Sequence, residues 1–169
     1  AALALESFVK ELDQNIPVSI KWPNDILIEG KKVAGILVER IPASNTSDKD
    51  IVILGMGVNL NLDTSKISEI SSISTSLYNF TGKQFDLVNA YGTLFENLEI
   101  YYEHLKNGTD LLSQWRQKLI TLGRTVKITD GEEELVGFAE NVDEAGSLIV
   151  RRKDGTKFNV IAGDAHLLS

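Results

Sequence analysis

The part of the chain after Gly123 restricts the fold more than any other feature of the sequence. Short runs with alternating apolar residues follow one another there, at 125–129, 134–142, 147–152, 157–161 and 166–169. The pairs that separate these runs each contain a glycine and are Asp130-Gly131, Ala145-Gly146, Asp154-Gly155 and Gly163-Asp164. Turn residues at such regular spacing are typical of a small antiparallel barrel. We therefore predict a β-barrel over 123–169 that packs against the preceding helices, because so short a unit has a thin core.

Residues 1–122 combine helical and strand-like patterns, and we predict that they form a separate α+β domain. Strand-like runs occupy 18–22, 26–29, 32–40 and 51–62, with a hairpin turn at Gly30-Lys31 and a polar hairpin tip at 42–50. The serine-rich stretch 64–75 has no clear periodicity and is predicted to be a loop with at most one helical turn. The expected sheet is partial, with mixed or antiparallel strands, and carries helices.

Three stretches have the apolar spacing of amphipathic helices. The first, 1–12, has no capping residue before it and no initiator Met, so we expect a fragment that begins inside a helix. Asp86 is predicted to cap a second helix that runs to about His104. Its apolar face is expected to carry Val88, Tyr91, Phe95, Leu98 and Tyr102. Thr109 is expected to cap the third helix, which carries Leu112, Trp115 and Leu119 inward and ends at Gly123.

Composition excludes several classes of protein. The formal net charge of −7 argues against non-specific nucleic-acid binding through this chain, because such binding needs a basic surface. No apolar run approaches the ~20 residues that span a bilayer, so no membrane association is expected. The sequence contains no cysteine, which excludes disulfides and thiolate metal sites and is compatible with a cytoplasmic protein. Neither His104 nor His166 has a second ligand at metal-binding spacing.

The motif Lys21-Trp22-Pro23-Asn24-Asp25 directly follows a strand-like run. It offers a cation for a phosphate, an amide for the edge of a base and a carboxylate for Mg²⁺ within five residues. The same residues are also ordinary turn material, in which Pro23 and Asn24 set the geometry and Asp25 caps a backbone amide. Taken alone, the motif favours the turn.

Two further motifs contain glycines inside strand-like runs. In a regular strand, the segment from Lys32 to Glu39 would alternate so that Gly35 lies on the face opposite Lys32. Glycine in a strand marks either a close approach of a ligand or a bulge. The segment Gly55-Met56-Gly57-Val58-Asn59 ends an apolar run, and its glycines would allow a ligand to lie against the backbone, although a strained turn explains them equally well. Each motif is a weak signal when taken alone.

In this order and at this spacing, the three motifs resemble the core of the biotin protein ligase family. The resemblance continues through Thr75-Ser76-Leu77 and Gly82 to the Trp115 helix, Gly123 and a final barrel similar to the Src-homology-3 fold. It implies a catalytic domain like that of class II synthetases over 1–122 and a C-terminal domain over 123–169. Such ligases join biotin to ATP, release pyrophosphate, and transfer biotin from biotinyl-AMP to a lysine of a biotin carboxyl carrier domain.

The resemblance also implies roles for individual residues. Lys32 matches the essential lysine that contacts the biotin carboxylate and the adenylate phosphate, and Lys21 is expected to support the phosphate by its charge. Asp25 matches an acidic residue linked to Mg²⁺. The positions that match biotin or adenylate contacts are Asn24, Gly35, Leu37, Gly55, Gly57 and Asn59. Glu39 lies within the pattern, but the resemblance gives it no chemical step.

The sequence departs from the family in its first half. It lacks the family's Ser/Thr-Thr-Asn segment, its Gly-Arg-Gly-rich loop and any N-terminal winged helix, so we expect the isolated chain to have little or no activity. The alternatives are a lipoate ligase, against which the small barrel and the Trp-Pro-Asn-Asp string argue, and a generic nucleotide-binding domain. A further alternative is a biotin-sensing or dimerisation module without catalysis. Because members of the family can dimerise through the central sheet, a homodimer is also compatible with the resemblance.

Overall fold

The computed structural model describes residues 1–43, 49–130 and 133–168. The predicted α+β class is confirmed: helices accompany a four-stranded sheet and a five-stranded sheet. Part of the predicted hairpin tip, 44–48, and Gly131 of the predicted Asp130-Gly131 turn lie outside the described residues. Within the described residues, no helix is long and apolar enough to cross a membrane.

The first sheet is an antiparallel meander that follows the opening helix. Its elements are α1 (Ala2–Leu12), β1 (Val18–Lys21), β2 (Asp25–Ile28), β3 (Lys31–Ile41) and β4 (Ile51–Val58), with strand order β1-β2-β3-β4. The predicted helix at 1–12 and the strand-like runs are thereby confirmed. Leu5 and Phe8 of α1 join Ile26 and Ile36 of the sheet in one buried apolar cluster. The strand β4 forms one edge of this sheet and pairs with β3 alone within the described residues.

A 3₁₀ helix (Thr64–Lys66) and three α-helices connect the two sheets: α2 (Leu77–Thr81), α3 (Leu87–Lys106) and α4 (Leu111–Lys118). The predicted cap of α3 is confirmed, because the Asp86 side chain accepts a hydrogen bond from the amide of Asn89. The predicted apolar face of α3 is not the buried one. Most of that face is exposed, and α3 packs on α1 through Ala90, Leu94 and Asn97. The Asn97 side-chain amide also donates to the Glu11 carboxylate of α1 at 2.9 Å, which satisfies this buried polar group.

Two predicted boundaries of the third helix are wrong. The cap of α4 is Asp110, whose carboxylate accepts from the amide of Ser113, and the predicted cap Thr109 lies one residue too early. The helix ends at Lys118, well before Gly123. The intervening residues extend along β1, where Leu119 forms a parallel bridge with Ile20 and the Ile120 amide donates to the Ile20 carbonyl at 2.9 Å. This pairing, which the sequence does not indicate, ends the helix early.

The second sheet contains the short strands predicted after Gly123. They are β5 (Thr125–Asp130), β6 (Glu133–Val142), β7 (Leu148–Arg151), β8 (Lys157–Val160) and β9 (Asp164–Leu168), all antiparallel, in the order β8-β7-β6-β5-β9. Gly137 in β6 has no room for a side chain, because a Cβ there would lie 2.7 Å from the Arg151 carbonyl oxygen. The close backbone contact between β6 and β7 therefore requires glycine.

Trp22 joins the two sheets. Its side chain is fully buried, and its indole nitrogen donates to the Gly146 carbonyl in the turn between β6 and β7 at 2.9 Å. Its backbone amide donates to the Thr121 hydroxyl at 2.9 Å. Arg116 of α4 also donates to the Val142 carbonyl at the end of β6. The apolar residues of both sheets form one continuous cluster, which confirms that the small sheet packs against the rest of the chain.

Candidate functional site

A β-bulge in β3 determines where the Lys32 side chain lies. Ile26 of β2 pairs with Ala34 and the next residue, Leu27, pairs with Lys32, so Val33 has no partner in β2. The extra residue shifts the alternation of β3 by one position. Lys32 therefore lies on the same face as Gly35, and the expectation that these residues occupy opposite faces is wrong. A Cβ at Gly35 would lie 2.9 Å from Lys32 Cε.

Asp25 lies between the two lysines of the candidate site. One carboxylate oxygen, Oδ2, is 3.1 Å from Lys21 Nζ, and the other, Oδ1, is 2.5 Å from Lys32 Nζ. The side chain of Asp25 is 10% exposed, whereas that of Lys32 is 49% exposed. A buried carboxylate needs compensating charge, and both lysines supply it. Because half of its side chain is exposed, Lys32 has room to leave this contact and meet an anionic ligand.

The Oδ1 atom of Asp25 is suited to a cation that arrives with a ligand. It is buried and has no hydrogen-bond partner, since its contact with Lys32 satisfies the distance of an ion pair without hydrogen-bond geometry. Mg²⁺ is commonly bound by one or two carboxylates together with substrate phosphates. Within the described residues, no group of three acidic, histidine or cysteine side chains could hold a metal ion. Asp25 therefore fits Mg²⁺ as a single protein ligand completed by phosphate oxygens.

The glycines of the other two motifs lie side by side on the face that carries Lys32. Gly35 pairs with Gly57, and Leu37 pairs with Gly55, in the ladder between β3 and β4. Leu37 is 60% exposed and both glycines of β4 are exposed, so this part of the sheet is an open, apolar floor, with the Lys32 side chain lying over Gly35 at one end. A flat ligand can contact the backbone here, with its anionic end toward Lys32.

The two asparagines bind the backbone around this floor. The Asn24 side-chain amide donates to the Ile36 carbonyl. The Asn24 backbone carbonyl accepts from the Ile36 amide at 3.1 Å. Asn59 donates from its side-chain amide to the Thr75 carbonyl at 3.0 Å. Both residues therefore lie at the edge of the floor. Asn24 binds the backbone of β3, and Asn59 binds the backbone of the loop after β4. Their side-chain oxygens face no donor among the hydrogen bonds of the described residues.

Sequence comparison identifies the family. The model of the Biotin/lipoate A/B protein ligase family matches residues 2–59, and the model of the Biotin protein ligase C terminal domain matches residues 121–168. The first description includes lipoate ligases, whereas the second names biotin protein ligases alone. The chain belongs to the biotin protein ligase family. The resemblance seen in the sequence is thereby confirmed, and the lipoate ligase alternative is disfavoured.

Individual biotin protein ligases match most of the chain. It is 31% identical to the biotin--[acetyl-CoA-carboxylase] ligase of Mycobacterium tuberculosis over 147 residues, which cover 86% of this chain and 51% of the relative. It is 29% identical to the bifunctional ligase/repressor BirA of Bacillus subtilis over 160 residues, which cover 93% of this chain and 48% of the relative. The chain therefore spans about half the length of these curated relatives.

Solved structures of biotin protein ligases share the fold. The apo structure of the Aquifex aeolicus enzyme has a TM-score of 0.80 at 27% identity, and the match covers 99% of this chain and 72% of that one. The same enzyme in complex with biotin and ATP gives a TM-score of 0.79 at 26% identity, with 99% of this chain and 68% of that one covered. The C-terminal sheet is consistent with the Src-homology-3-like fold that the resemblance implies for residues 123–169.

Sequence reasoning missed Asp164, the residue through which the C-terminal sheet contacts the candidate site. Asp164 Oδ1 accepts a hydrogen bond from Lys21 Nζ at 2.9 Å, across 143 positions of sequence. Burial disfavours the Lys21 ammonium, but the hydrogen bonds to Asp164 and Asp25 outweigh it and raise the pKa of Lys21. Burial also disfavours the Asp164 carboxylate, but the hydrogen bond and charge of Lys21 lower the pKa of Asp164. No local pattern could have indicated this pair.

The pair between Lys21 and Asp164 predicts a pH-dependent contribution to stability. Since the folded-state pKa of Asp164 is lowered from 3.8, the contribution is complete above that value and is lost as the pH falls through the folded pKa. The Asp164 side chain is 58% exposed, so screening by solvent limits the effect to about 0.5 kcal/mol. We expect Asp164→Asn to lower the free energy of unfolding by this amount at pH 7 and by less at pH 3, measured by urea denaturation. An equal loss at both pH values would contradict the ion-pair explanation.

Proposed function

We propose that the protein carrying this chain is an ATP-dependent biotin protein ligase, and that the face of β3 and β4 binds biotin and the adenylate. One observation carries the proposal: the bulge at Val33 brings Lys32 onto the same face as Gly35, beside a buried carboxylate. The named biotin and ATP complex of the Aquifex aeolicus relative supports the choice of ligands. The sheet provides the floor of the site in this chain.

In the first reaction, a carboxylate oxygen of biotin attacks the α-phosphorus of ATP. The new bond is the mixed anhydride of biotinyl-AMP, and the bond to the β-phosphate breaks to release pyrophosphate. Negative charge increases on the phosphoryl oxygens during this displacement, and the Lys32 ammonium is placed to stabilise it. Lys21 keeps Asp25 paired when Lys32 turns to the ligand. Mg²⁺ bound to Asp25 would neutralise phosphate charge.

In the second reaction, the amine of a carrier-domain lysine attacks the carbonyl carbon of biotinyl-AMP. An amide forms, AMP leaves, and the amine loses a proton to solvent. The exposed floor at Leu37, Gly55 and Gly57 supports access by a second protein, because nothing in the described residues covers it. Asn24 and Asn59 are assigned to the adenylate at the rim of this floor, where their side-chain oxygens are available as acceptors.

Several finer assignments belong to the same proposal. We assign residues 1–122 to the catalytic domain and 123–169 to the C-terminal domain. A homodimer through the edge strand β4 is supported by the exposed apolar side chains of Ile51, Val52 and Ile53. A cytoplasmic location is supported by the absence of cysteine from the sequence.

The test is isotope exchange between pyrophosphate and ATP by a longer protein that carries this chain. We expect exchange that requires biotin and is absent with lipoate, because the C-terminal match is specific to biotin protein ligases. The isolated chain is the matched comparison, and we expect its exchange to be at least 100-fold slower, since ligand positioning is incomplete on an open floor. Exchange driven by lipoate would overturn the proposal. Tight biotin binding without any exchange would instead support a biotin-sensing module.

A further inference from the structure

The bulge in β3 is held from outside the ladder by the loop segment 73–75. Both backbone groups of Lys32 bind this segment: its amide donates to the Ile73 carbonyl and its carbonyl accepts from the Thr75 amide, each at 2.9 Å. The Ser74 hydroxyl adds a third bond, because it donates to the same Lys32 carbonyl at 2.8 Å. Lys32 is therefore more firmly bound through its backbone than through its exposed side chain.

Ser74 connects this backbone to Asn59. The Asn59 side-chain amide donates to the Ser74 hydroxyl oxygen at 2.9 Å, and the Ser74 hydrogen is then directed to the Lys32 carbonyl. The Asn59 backbone amide donates to the carbonyl of Val33, the bulged residue, at 2.8 Å. A continuous series of hydrogen bonds thus links the end of β4 to the backbone of Lys32.

These bonds determine on which face Lys32 lies. A bulge leaves one residue without ladder partners, and it persists where other groups satisfy the backbone. In a regular strand, successive side chains lie on opposite faces. Without the bulge, the Lys32 side chain would therefore lie on the face that packs on α1, opposite Gly35 and Asp25. The Ser74 hydroxyl acts at this point, since it contacts the residue next to the bulge and is itself oriented by Asn59.

We propose that Ser74 is a positioning residue, which fixes the Lys32 backbone and thereby aims the Lys32 ammonium at the reacting phosphate. This inference rests on the proposed function, because it assumes that Lys32 acts on the adenylate. Asn59 is assigned to the adenylate in the same proposal. Ser74 therefore transmits the position of the nucleotide, held at Asn59, to the cation that stabilises the phosphate.

The first experiment uses Ser74→Ala in the longer protein that carries this chain. We expect the kcat of biotinyl-AMP formation to fall about tenfold while the KM for biotin changes less than twofold, because the cation is misplaced but the floor is intact. Ser74→Thr keeps the hydroxyl and is expected to restore kcat to within threefold. The matched control is Ser72→Ala, an exposed serine of the same loop, which should leave both constants unchanged. A parental kcat in Ser74→Ala, or failure of Ser74→Thr to restore it, would overturn the proposal.

A second measurement requires no ligase activity. Hydrogen–deuterium exchange is followed in the peptide that contains Lys32 and Val33, in the parent, Ser74→Ala and Ser72→Ala proteins. We expect at least threefold faster exchange in Ser74→Ala alone, since the bulge loses one of its external bonds. Absence of biotin-dependent chemistry in the parent would defeat the proposed function, whereas unchanged exchange in Ser74→Ala would defeat the positioning role of Ser74.

Discussion

Replacing Lys32 by alanine is expected to lower the rate of biotinyl-AMP formation by about 100- to 1000-fold, the usual cost of removing one preorganised charge-stabilising group. The Lys32 side chain is half-exposed beside the floor formed by β3 and β4, and Asp25 retains Lys21 as a partner after the substitution. The fold should therefore survive while the charge on the phosphate loses its cation. The measurement is single-turnover formation of biotinyl-AMP in the longer protein.

The neighbouring Lys31 provides the control. Its ammonium donates to the Ser71 carbonyl at 2.9 Å, away from Asp25, so Lys31→Ala removes the same charge from the adjacent position. We expect the rate for Lys31→Ala to remain within twofold of the parent. If both variants lose activity equally, the effect comes from net charge, and the assignment of Lys32 to the phosphate is wrong.

Replacing Trp22 by alanine is expected to lower the free energy of unfolding by about 3–5 kcal/mol, the range for deleting a large buried aromatic side chain. Trp22 is fully buried where the two sheets meet, and the substitution also leaves the Gly146 carbonyl without its indole donor. Denaturation by urea, followed by circular dichroism, measures the change. We expect one cooperative transition at lower urea concentration, since the two sheets share one apolar cluster.

Trp22→Phe separates the two causes of this loss. It keeps most of the buried aromatic surface but removes the donor to Gly146 together with part of the ring, and the loss of the donor is expected to cost about 1–2 kcal/mol. If Trp22→Phe is as destabilising as Trp22→Ala, the hydrogen bond rather than packing dominates the contact. A loss below 1 kcal/mol for Trp22→Ala would contradict the role of Trp22 in joining the two sheets.

The features that sequence could predict are those set by neighbouring residues. Turn pairs such as Asp154-Gly155 indicate short strands because glycine accepts a positive φ, which is 87° at Gly155. The cap at Asp86 follows equally from local chemistry, since a carboxylate just before a helix can accept from its free amides. The order of the motifs at Lys32 and Gly57 carries the resemblance to the family, and the structure brings these residues onto one face of the sheet.

The features that sequence could not predict depend on distant contacts. The bulge at Val33 is stabilised by residues 73–75, which a rule of strict alternation does not consider. The buried face of α3 is the one that packs on α1 and carries Ala90, Leu94 and Asn97, and this contact between distant elements is not visible in the local pattern. The pair between Lys21 and Asp164 depends on how the two sheets meet. Each of these errors arises where tertiary contacts override a local pattern.

The edge strand β4, whose outer side pairs with no strand in the part of the chain that the structure describes, has a consequence for how the chain behaves in concentrated solution. Its free edge carries the exposed side chains of Val52 and Leu54, a surface on which another strand can assemble. The formal net charge of −7 opposes such contact by mutual repulsion between copies. Because this repulsion is screened over about 8 Å at physiological ionic strength, added salt should weaken the repulsion that keeps these edges apart. Colloidal stability of the isolated chain is therefore set by ionic strength as much as by folding.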